Sequence, residues 1–306
     1  RLSSKRSIGS RPRASARLIT AVLHLLNPNS RRDIRRNIAA HYDLGNDFYA
    51  AWLDPRLIYS SALYAPGDAT LEAAQVRKLA RIGQLLALQP GQRVLEIGCG
   101  WGALAVDLAQ AHGVELTGIT LSQRQLEHAR TQVQEASLQA QVDLRLQDYR
   151  EVQGQFDRIV SIEMLEAVGQ AYWPRYFQTL RERLKPGGLA VLQVILIDDA
   201  QFESYRRGAD FIQRHIFPGG LLPSDSAVRE LAARAGFEIE CTDRFGASYA
   251  RTLTEWRERF EAAWPQLQAQ GFDEMFRRLW RYYLSYCEAG FRSGRVDVGL
   301  YRLRRS

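Results

Sequence analysis

The strongest constraint on the fold of this chain is the run VLEIGCGWG at residues 94–102. A short apolar strand pattern ends there in a turn with glycine at every second position, and a helical pattern begins directly afterwards at Ala103. Glycine tolerates positive φ and lets a ligand approach the backbone closely. The run therefore predicts a ligand-binding turn at the carboxyl end of a strand.

Strand and helix patterns alternate on both sides of this turn. Strands are predicted at 94–97, 115–119, 142–146, 157–161, 189–196, 237–242 and 298–303, and helices after Thr70, from Ala103, after Ser122, and at 173–184, 225–236 and 252–288. Strands separated by helices form right-handed βαβ units. The pattern predicts an α/β fold with a Rossmann-like, doubly wound, mostly parallel sheet of seven strands. The segment Lys185-Pro186-Gly187-Gly188 is expected to precede the fifth strand, and residues 197–223 are expected to form a lid.

The glycine spacing also narrows the ligand. The spacing Gly98-x-Gly100-x-Gly102 differs from the dinucleotide-binding pattern G-x-G-x-x-G, and the second strand ends in GITLSQRQ (118–125) without the carboxylate that binds ribose in many NAD enzymes. A nucleoside without a pyrophosphate fits better. S-adenosylmethionine (SAM) is the predicted cofactor, with Glu96 orienting its cationic end and Asp148 and Tyr149 near its adenine.

Composition limits the other possibilities. The chain of 306 residues has three cysteines, Cys99, Cys241 and Cys287, without metal-ligand spacing, so we predict no structural metal, no disulfide framework and a reducing, cytoplasmic environment. No apolar run approaches the roughly 18 residues of a membrane span, and no secretory signal pattern is present at the start of the sequence.

The net charge of +7 is unevenly distributed. Residues 1–36 carry ten basic side chains and one acid, whereas residues 37–306 carry 31 basic and 33 acidic ones. The apolar stretch LITAVLHLL (18–26) lies within this basic arm. Three interpretations of the arm are open: a solvated tail with a helix that caps the core, a segment that binds the surface of an anionic membrane, or a segment that contacts nucleic acid. The slightly acidic body argues against a nucleic-acid groove.

Several segments together resemble the cyclopropane-fatty-acyl-phospholipid synthase family, which includes the mycolic acid cyclopropane synthases. They are HYDLGNDFYAAWLDP (41–55), YSSALY (59–64), VLEIGCGWG, GITLSQRQ, FDRIVSIEMLEAVG (156–169), YFQTLRERLKPGG (176–188), IFPGGLLPS (216–224), YARTL (249–253) and YYLSYCEAGFR (282–292). The resemblance covers nearly all of the chain after residue 37. It implies the class I methyltransferase fold, one methyltransferase domain at 37–306 with a helical cover at 37–69, and the separate arm at 1–36.

The resemblance also implies the chemistry. An isolated double bond of an acyl chain attacks the methyl group of SAM, and proton loss from the resulting carbocation closes a cyclopropane ring. The cofactor-binding residues are expected to be Tyr59, Ser60, Glu96, Gly98, Gly100, Gly102, Thr120, Leu121, Ser122, Gln125, Asp148 and Tyr149.

In this family the base is generally a bicarbonate held by side chains and backbone. The resemblance transfers that role to Glu166, Tyr249 and the backbone of Ile195. Ser61 and Gln193 depart from the family's cysteine and histidine, although a hydroxyl and an amide still donate hydrogen bonds to an anion. Cys287 matches a cysteine that the family treats as an active residue, but packing is the favoured interpretation because the reaction has no use for a thiolate nucleophile.

These departures leave the product open. We predict a cyclopropane synthase acting on unsaturated membrane phospholipids, and the alternative is methyl transfer without ring closure. A soluble small-molecule methyltransferase and an RNA methyltransferase are less favoured, and no nucleic-acid partner is expected. Peripheral association with the cytoplasmic face of an anionic membrane is expected from the arm, and a homodimer is expected from the resemblance.

Overall fold

The computed structural model describes residues 44–306; the basic arm (1–36), Tyr42 and their neighbours lie outside the described residues. Seven strands form one sheet in the order β3-β2-β1-β4-β5-β7-β6. The first five strands pair in parallel, and β7 runs antiparallel to both β5 and β6. The strands are β1 (Arg93–Ile97), β2 (Glu115–Thr120), β3 (Val142–Leu146), β4 (Phe156–Ile162), β5 (Leu184–Ile197), β6 (Phe237–Arg244) and β7 (Val296–Arg305). The predicted Rossmann-like, mostly parallel sheet is confirmed.

Helices cover both faces of the sheet. Local capping explains where two of them begin, because Thr70 accepts a hydrogen bond from the Ala73 N–H at 3.2 Å and Ser122 accepts one from the Gln125 N–H at 3.3 Å. The α-helices within residues 44–306 are α1 (Asn46–Ala50), α2 (Leu71–Leu86), α3 (Ala103–His112), α4 (Gln123–Glu135), α5 (Leu165–Val168), α6 (Trp173–Arg183), α7 (Asp199–Tyr205), α8 (Phe211–His215), α9 (Asp225–Arg234), α10 (Gly246–Ala262), α11 (Trp264–Ala269) and α12 (Glu274–Arg292).

The structure corrects three details of the predicted elements. The helical pattern at 252–288 is split into three helices, since the backbone turns at Gly271 with φ of 101° and Asp273 caps a new helix. The segment 185–188 is part of β5 rather than a turn before it. There the pairing of β4 with β5 jumps from Phe156–Leu184 to Arg158–Leu189, so the glycines form a bulge within the strand.

The third correction concerns the cover at 37–69. In its described part only α1 is helical, and the chain from 51 to 70 is irregular. Side chains satisfy its backbone instead: the Asp54 carboxylate accepts the Ile58 N–H at 2.9 Å, and the Gln75 amide donates to the Ser60 carbonyl at 3.0 Å. The segment is nevertheless anchored in the core through Phe48, Tyr49 and Trp52, all of which are buried.

This anchored segment, together with α10 and α12, lies over the carboxyl ends of β1 and β4. The aromatic rings pack edge to face, for example Trp52 on Trp256 at 5.7 Å and Phe48 on Trp280 at 5.0 Å between centroids. The ligand edge of the sheet is thereby enclosed by apolar material. Within residues 44–306 no helix combines the length and apolar character needed to cross a bilayer.

Candidate active site

A cavity of about 660 Å³ opens at the carboxyl edge of the sheet. Its glycine end is lined by Glu96, Gly98, Gly100, Thr120, Leu121, Gln125 and Tyr149. Its carboxylate end is lined by Glu163, Glu166, Ile195, Tyr249, Tyr283, Cys287 and Phe291. The lid region contributes Ile212, Phe217 and Leu222, so the predicted lid does border the cavity. One continuous space therefore joins the two predicted binding regions.

The three glycines of the turn differ in the space that surrounds them. Gly98, Gly100 and Gly102 all have positive φ, at 86°, 52° and 90°. A Cβ on Gly98 would lie 2.5 Å from the Met164 side chain, and one on Gly102 would lie 2.9 Å from Ala129. A Cβ on Gly100 would meet nothing within 4 Å. Gly98 and Gly102 are thus required by packing, whereas Gly100 faces the space that a ligand would use.

The turn after β2 is held together by its own side chains. The Thr120 hydroxyl donates to the Gln125 side-chain oxygen at 2.9 Å and accepts the Ser122 N–H at 3.2 Å. Thr120, Leu121 and Gln125 line the cavity, but Ser122 caps α4 and lies outside the lining. Ser122 consequently shapes the turn and is not placed to contact a cofactor directly.

Glu96 provides a test of whether this end fits SAM. Its carboxylate is buried, and one of its oxygens, Oε2, has no hydrogen-bond partner among the described residues. Burial raises the pKa of Glu96 to about 8, and the nearby Lys78 ammonium partly opposes that rise. An unsatisfied buried acceptor beside open space suits a cationic ligand. The residues present therefore fit the ammonium end of SAM.

The adenine region is built around Tyr149, whose buried ring lines the cavity and whose hydroxyl lacks a hydrogen-bond partner within residues 44–306. Asp148 is not in the lining. Its carboxylate forms an ion pair with Arg150 at 2.6 Å and caps the short 3-10 helix Tyr149–Glu151. Gln147, the residue that precedes Asp148, lines the cavity instead.

A buried lysine joins the two ends of the cavity. Lys78, on α2, is 1% exposed, and its ammonium donates to the Ser60 hydroxyl at 2.7 Å. Burial lowers the pKa of Lys78 to about 8, while the charges of Glu163, Asp54 and Glu96 oppose that effect. Tyr59 lies beside Ser60 and shares a hydrogen bond of 2.9 Å with the Tyr283 hydroxyl. The predicted residues Tyr59 and Ser60 therefore stand at the junction of the two ends.

The carboxylate end differs from the expected bicarbonate cradle. The Glu163 carboxylate accepts hydrogen bonds from the Ser61 N–H at 3.0 Å, the Gln193 amide at 2.7 Å and the Tyr249 hydroxyl at 2.7 Å. The Ser61 hydroxyl donates to the Ala62 carbonyl, so the residue contributes its backbone and not its side chain to the anion. Ser61 and Gln193 lie outside the cavity lining, behind Glu163.

The backbone of Glu163 is held in an unusual conformation to achieve this. Its φ is 51°, in the left-handed region that costs a non-glycine residue about 1–2 kcal/mol. The Glu163 N–H donates to the Gln193 carbonyl at 2.8 Å, which fixes the turn after β4. Strain of this kind persists where the surroundings over-determine it, and it places the carboxylate in the cavity wall.

Glu166, the residue expected to hold the anion, occupies a different environment. Its Oε1 accepts a short hydrogen bond from the Ile195 N–H, while its Oε2 has no partner among the described residues. The donors assigned to bicarbonate are thus already used by the side chains of Glu163 and Glu166, and the ionised Glu163 would repel a further anion. The residues present do not fit a bound bicarbonate.

The carboxyl groups of Glu163 and Glu166 differ in their pKa values. Burial and, to a smaller extent, the charge of Glu163 together raise the pKa of Glu166 to about 8. Burial also raises the pKa of Glu163, but hydrogen bonds from Ser61, Tyr249 and Gln193 and the charge of Lys78 oppose the shift. A carboxylate with three donors ionises in preference to one with a free oxygen. At neutral pH Glu163 therefore carries the charge and Glu166 the proton.

Aromatic rings surround this pair. The Tyr249 and Phe291 rings lie 4.4 Å apart between centroids, and burial raises the pKa of both Tyr249 and Tyr283 well above the usual value, so both phenols stay neutral. Burial likewise raises the pKa of the Cys287 thiol, which lines the cavity as a neutral group. Among residues 44–306, no cluster of three potential ligands forms a metal site.

Sequence reasoning missed Glu163 and Lys78. Glu163 lies three residues before Glu166, directly after β4, and a second carboxylate at the carboxyl end of a central strand was an available signal. Lys78 lies on the buried, mostly apolar face of α2, between Ala74 and Ile82. A lone charge on the buried face of an amphipathic helix could have marked it.

The match to known proteins agrees with this geometry. The family model described as mycolic acid cyclopropane synthetase matches residues 29–300. The chain is 42% identical over 300 residues to the tuberculostearic acid methyltransferase UfaA1 of Mycobacterium tuberculosis, covering 92% of this chain and 70% of that protein. It is also 42% identical over 260 residues to the cyclopropane-fatty-acyl-phospholipid synthase of Escherichia coli, covering 84% of this chain and 65%, less than two thirds, of that protein.

Solved structures match over nearly their whole length. The cyclopropane synthase MmaA2 from Mycobacterium tuberculosis superimposes with a TM-score of 0.83 at 31% identity, covering 89% of this chain and 98% of that one. The mycolic acid cyclopropane synthase CmaA1, in complex with SAH and CTAB, has a TM-score of 0.83 at 32% identity, with the same coverage of each chain. The chain belongs to the mycolic acid cyclopropane synthetase family of SAM-dependent methyltransferases.

Proposed function

We propose that this protein methylates a carbon of an isolated double bond in an acyl chain of a membrane phospholipid, with Glu163 as the base that removes a proton from the resulting cation. The observation that carries the proposal is the Glu163 carboxylate, which is held by Ser61, Gln193 and Tyr249 in the wall of a cavity continuous with the glycine turn. SAM, when bound, supplies a methyl group that is electrophilic because it is attached to a sulfonium.

The cavity suits a reaction in which the substrate itself is the nucleophile. The alkene π electrons form the new carbon–carbon bond as the methyl–sulfur bond breaks, and positive charge appears on the other alkene carbon. The apolar lining excludes water that would trap this cation. The faces of Tyr249, Tyr283 and Phe291 stabilise it without reacting.

Loss of a proton then neutralises the cation. Glu163, the ionised member, accepts a proton from the added methyl group, and the released C–H electron pair closes a three-membered ring. Glu166 already carries a proton at neutral pH and cannot compete for this one. The Gln193 and Tyr249 hydrogen bonds keep Glu163 aimed at the cavity during the transfer.

Ring-free methylation is the second candidate. Glu163 is part of the strained turn after β4, so its carboxylate has a fixed position and removes a proton from one side of the substrate. If a hydride first shifts from the methylated carbon to the neighbouring cationic carbon, the positive charge lies on the methylated carbon, and loss of a proton from the methyl group then forms a vinylidene alkene instead of a ring. The 42% identity to a protein named tuberculostearic acid methyltransferase supports this alternative.

The product distinguishes the two candidates. Purified protein, labelled SAM and an oleoyl phospholipid dispersed in detergent would be incubated, and the lipid would be examined by mass spectrometry and NMR. High-field cyclopropane methylene protons support ring closure, and vinylidene protons support the ring-free reaction. Transfer of label to the headgroup, with none on the acyl chain, would exclude both.

We further propose peripheral association with the cytoplasmic face of an anionic membrane. The charge of +9 carried by residues 1–36 and the apolar stretch at 18–26 support this proposal. A homodimer and the division of the chain into an arm (1–36) and a methyltransferase domain (37–306) remain predictions. Sedimentation with anionic and neutral vesicles tests the membrane association, and light scattering tests the homodimer.

A further inference from the structure

The outer face of α12 exposes several large apolar or aromatic side chains. Among the described residues, five large apolar or aromatic side chains stand out as exposed, and three of them lie on this helix: Met275 at 77%, Tyr282 at 53% and Tyr286 at 39%. They follow one another at intervals of seven and four residues, which places them in a stripe about 16 Å long. Such a stripe at the surface indicates contact with something apolar.

A second ring extends this stripe to the lid. Phe211 of α8 contacts the Tyr282 ring at 4.6 Å and the Tyr286 ring at 5.8 Å between centroids. The Tyr286 hydroxyl donates to Asp210 at 3.2 Å, which ties the helix to the lid. We call Phe211, Met275, Tyr282 and Tyr286 the aromatic rim.

The aromatic rim borders the cavity. Tyr286 belongs both to the rim and to the cavity lining, and the lining continues through Asp210, Ile212 and Gln213 of the lid and through Ser293 and Arg295 after α12. An acyl chain that leaves the rim would therefore pass directly between α8 and α12 toward the carboxylate end. The surface is continuous with the proposed substrate route.

Basic side chains flank the rim. Arg214, Arg278 and Arg295 are exposed, and none of them has an ion-pair partner among residues 44–306. Helix α12 carries four arginines and two glutamates, so its net charge is positive. Tyrosine and methionine beside unpaired arginines match the boundary between the headgroups and the acyl chains of an anionic bilayer.

The start of the described chain lies near the same helix. Leu44 shares a shallow surface pocket with Gln270 and Phe272, immediately before α12 begins. The described chain therefore begins beside the N-terminal end of α12, where Met275 of the aromatic rim lies.

We propose that the aromatic rim is a membrane-docking surface of the folded body, which inserts Met275, Tyr282, Tyr286 and Phe211 into an anionic phospholipid bilayer and brings the cavity mouth to the acyl chains. This inference rests on the proposed function for its substrate. It differs from attachment through the basic arm because side chains of α8 and α12 determine how deeply, and in which orientation, the folded body sits on the bilayer.

The test compares two double variants of the full chain. Met275→Glu/Tyr282→Glu removes two rim side chains that do not line the cavity. Val76→Glu/Leu146→Glu makes the same change of charge at the other two exposed apolar positions. Sedimentation with vesicles of phosphatidylglycerol and phosphatidylcholine should show about tenfold weaker binding for the rim variant than for the control. Equal binding by the two variants would overturn the proposal.

A parallel assay separates docking from catalysis. With phospholipid dispersed in detergent, both variants should transfer labelled methyl groups at the wild-type rate, because the rim is then not needed. If wild-type protein binds vesicles through the rim yet never methylates an acyl chain in detergent, the proposed function fails and the docking surface stands.

Oxidative footprinting of the unmodified protein covers the case in which the rim variant fails to fold. Hydroxyl-radical labelling of Met275 and Tyr282 should fall about fivefold when saturating anionic vesicles are added. Unchanged labelling would overturn the proposal. Protection that grows with protein concentration in the absence of vesicles, or that is complete before vesicles are added, would also overturn it by showing a second copy or residues 18–26 on the rim.

Discussion

The glycine end and the carboxylate end of the cavity are built in different ways. At the glycine end, backbone conformation and short-range hydrogen bonds define the surface: three glycines with positive φ and the closed turn from Thr120 to Gln125. At the carboxylate end, Glu163 is held by donors at positions 61, 193 and 249. The first end is local in sequence, and the second exists only in the folded chain.

The difference has a consequence for function. A local turn binds the same cofactor in many proteins, whereas a cluster drawn from distant segments changes its chemistry when one member changes. Here the expected bicarbonate cradle contains a protein carboxylate instead. Substitutions at the two ends should therefore separate cofactor binding from proton removal.

The largest expected effect is on turnover when the base is removed. Glu163→Gln should lower kcat about a thousandfold, because an amide cannot accept the proton, while affinity for SAH stays within about twofold. Labelled methyl transfer and calorimetry measure the two quantities. The matched variant Glu166→Gln should lose less than about tenfold, since Glu166 already carries a proton. If the two variants lose activity in the opposite order, the assignment of the base is wrong.

The second largest effect is expected from alanine substitutions in the glycine turn. Gly98→Ala adds strain at φ of 86° and a contact of 2.5 Å with Met164, so it should lower the free energy of unfolding by about 3 kcal/mol and weaken SAH binding about a hundredfold. Gly100→Ala, which meets open space, should cost only about 1 kcal/mol of stability but should still weaken binding. Urea unfolding and calorimetry distinguish them; equal stability losses would contradict the separate roles of the two glycines.

A glycine at position 163 offers a sharper test of the carboxylate end. Glu163→Gly relieves the positive φ and leaves the donors of Ser61, Gln193 and Tyr249 facing an empty space. Added bicarbonate should then raise the residual activity about thirtyfold, because the freed donors can hold a small anion that acts as base. Wild-type protein should show no response, and the Glu163→Gln variant, whose amide fills the space, serves as the control. Absence of rescue in the glycine variant would argue against a base at this point.

The smallest effect concerns the pH dependence of cofactor binding at Glu96. Its pKa is raised to about 8, so a proton must leave before the carboxylate can pair with a cation. Raising the pH from 6 to 7.5 increases the ionised fraction and should tighten SAH binding about twentyfold. Calorimetry of Glu96→Gln should show weaker binding with no such slope. A slope that survives in this variant would assign the dependence to another group.

Much of the fold could be predicted because its signals are short-range. Apolar strands, helix caps such as Thr70 and the glycine turn follow from a few consecutive residues, and parallel βαβ units then admit few topologies. The errors lay where context decides the outcome. The break at Gly271 depends on a cap at Asp273, and the bulge at 185–188 depends on the register of β4 against β5.

The sequence by itself determined the glycine turn, the absence of a ribose-binding acid after β2, the uneven charge of the arm and the body, and a carboxylate after β4. Only the tertiary structure decided that Glu163, and not Glu166, receives the donors of Ser61, Gln193 and Tyr249. It also decided that Lys78 is buried near Glu96 and Glu163 and that α12 turns Tyr282 and Tyr286 outward beside the cavity mouth. Pairing between distant residues depends on how strands and helices pack, and residue order alone does not contain those distances.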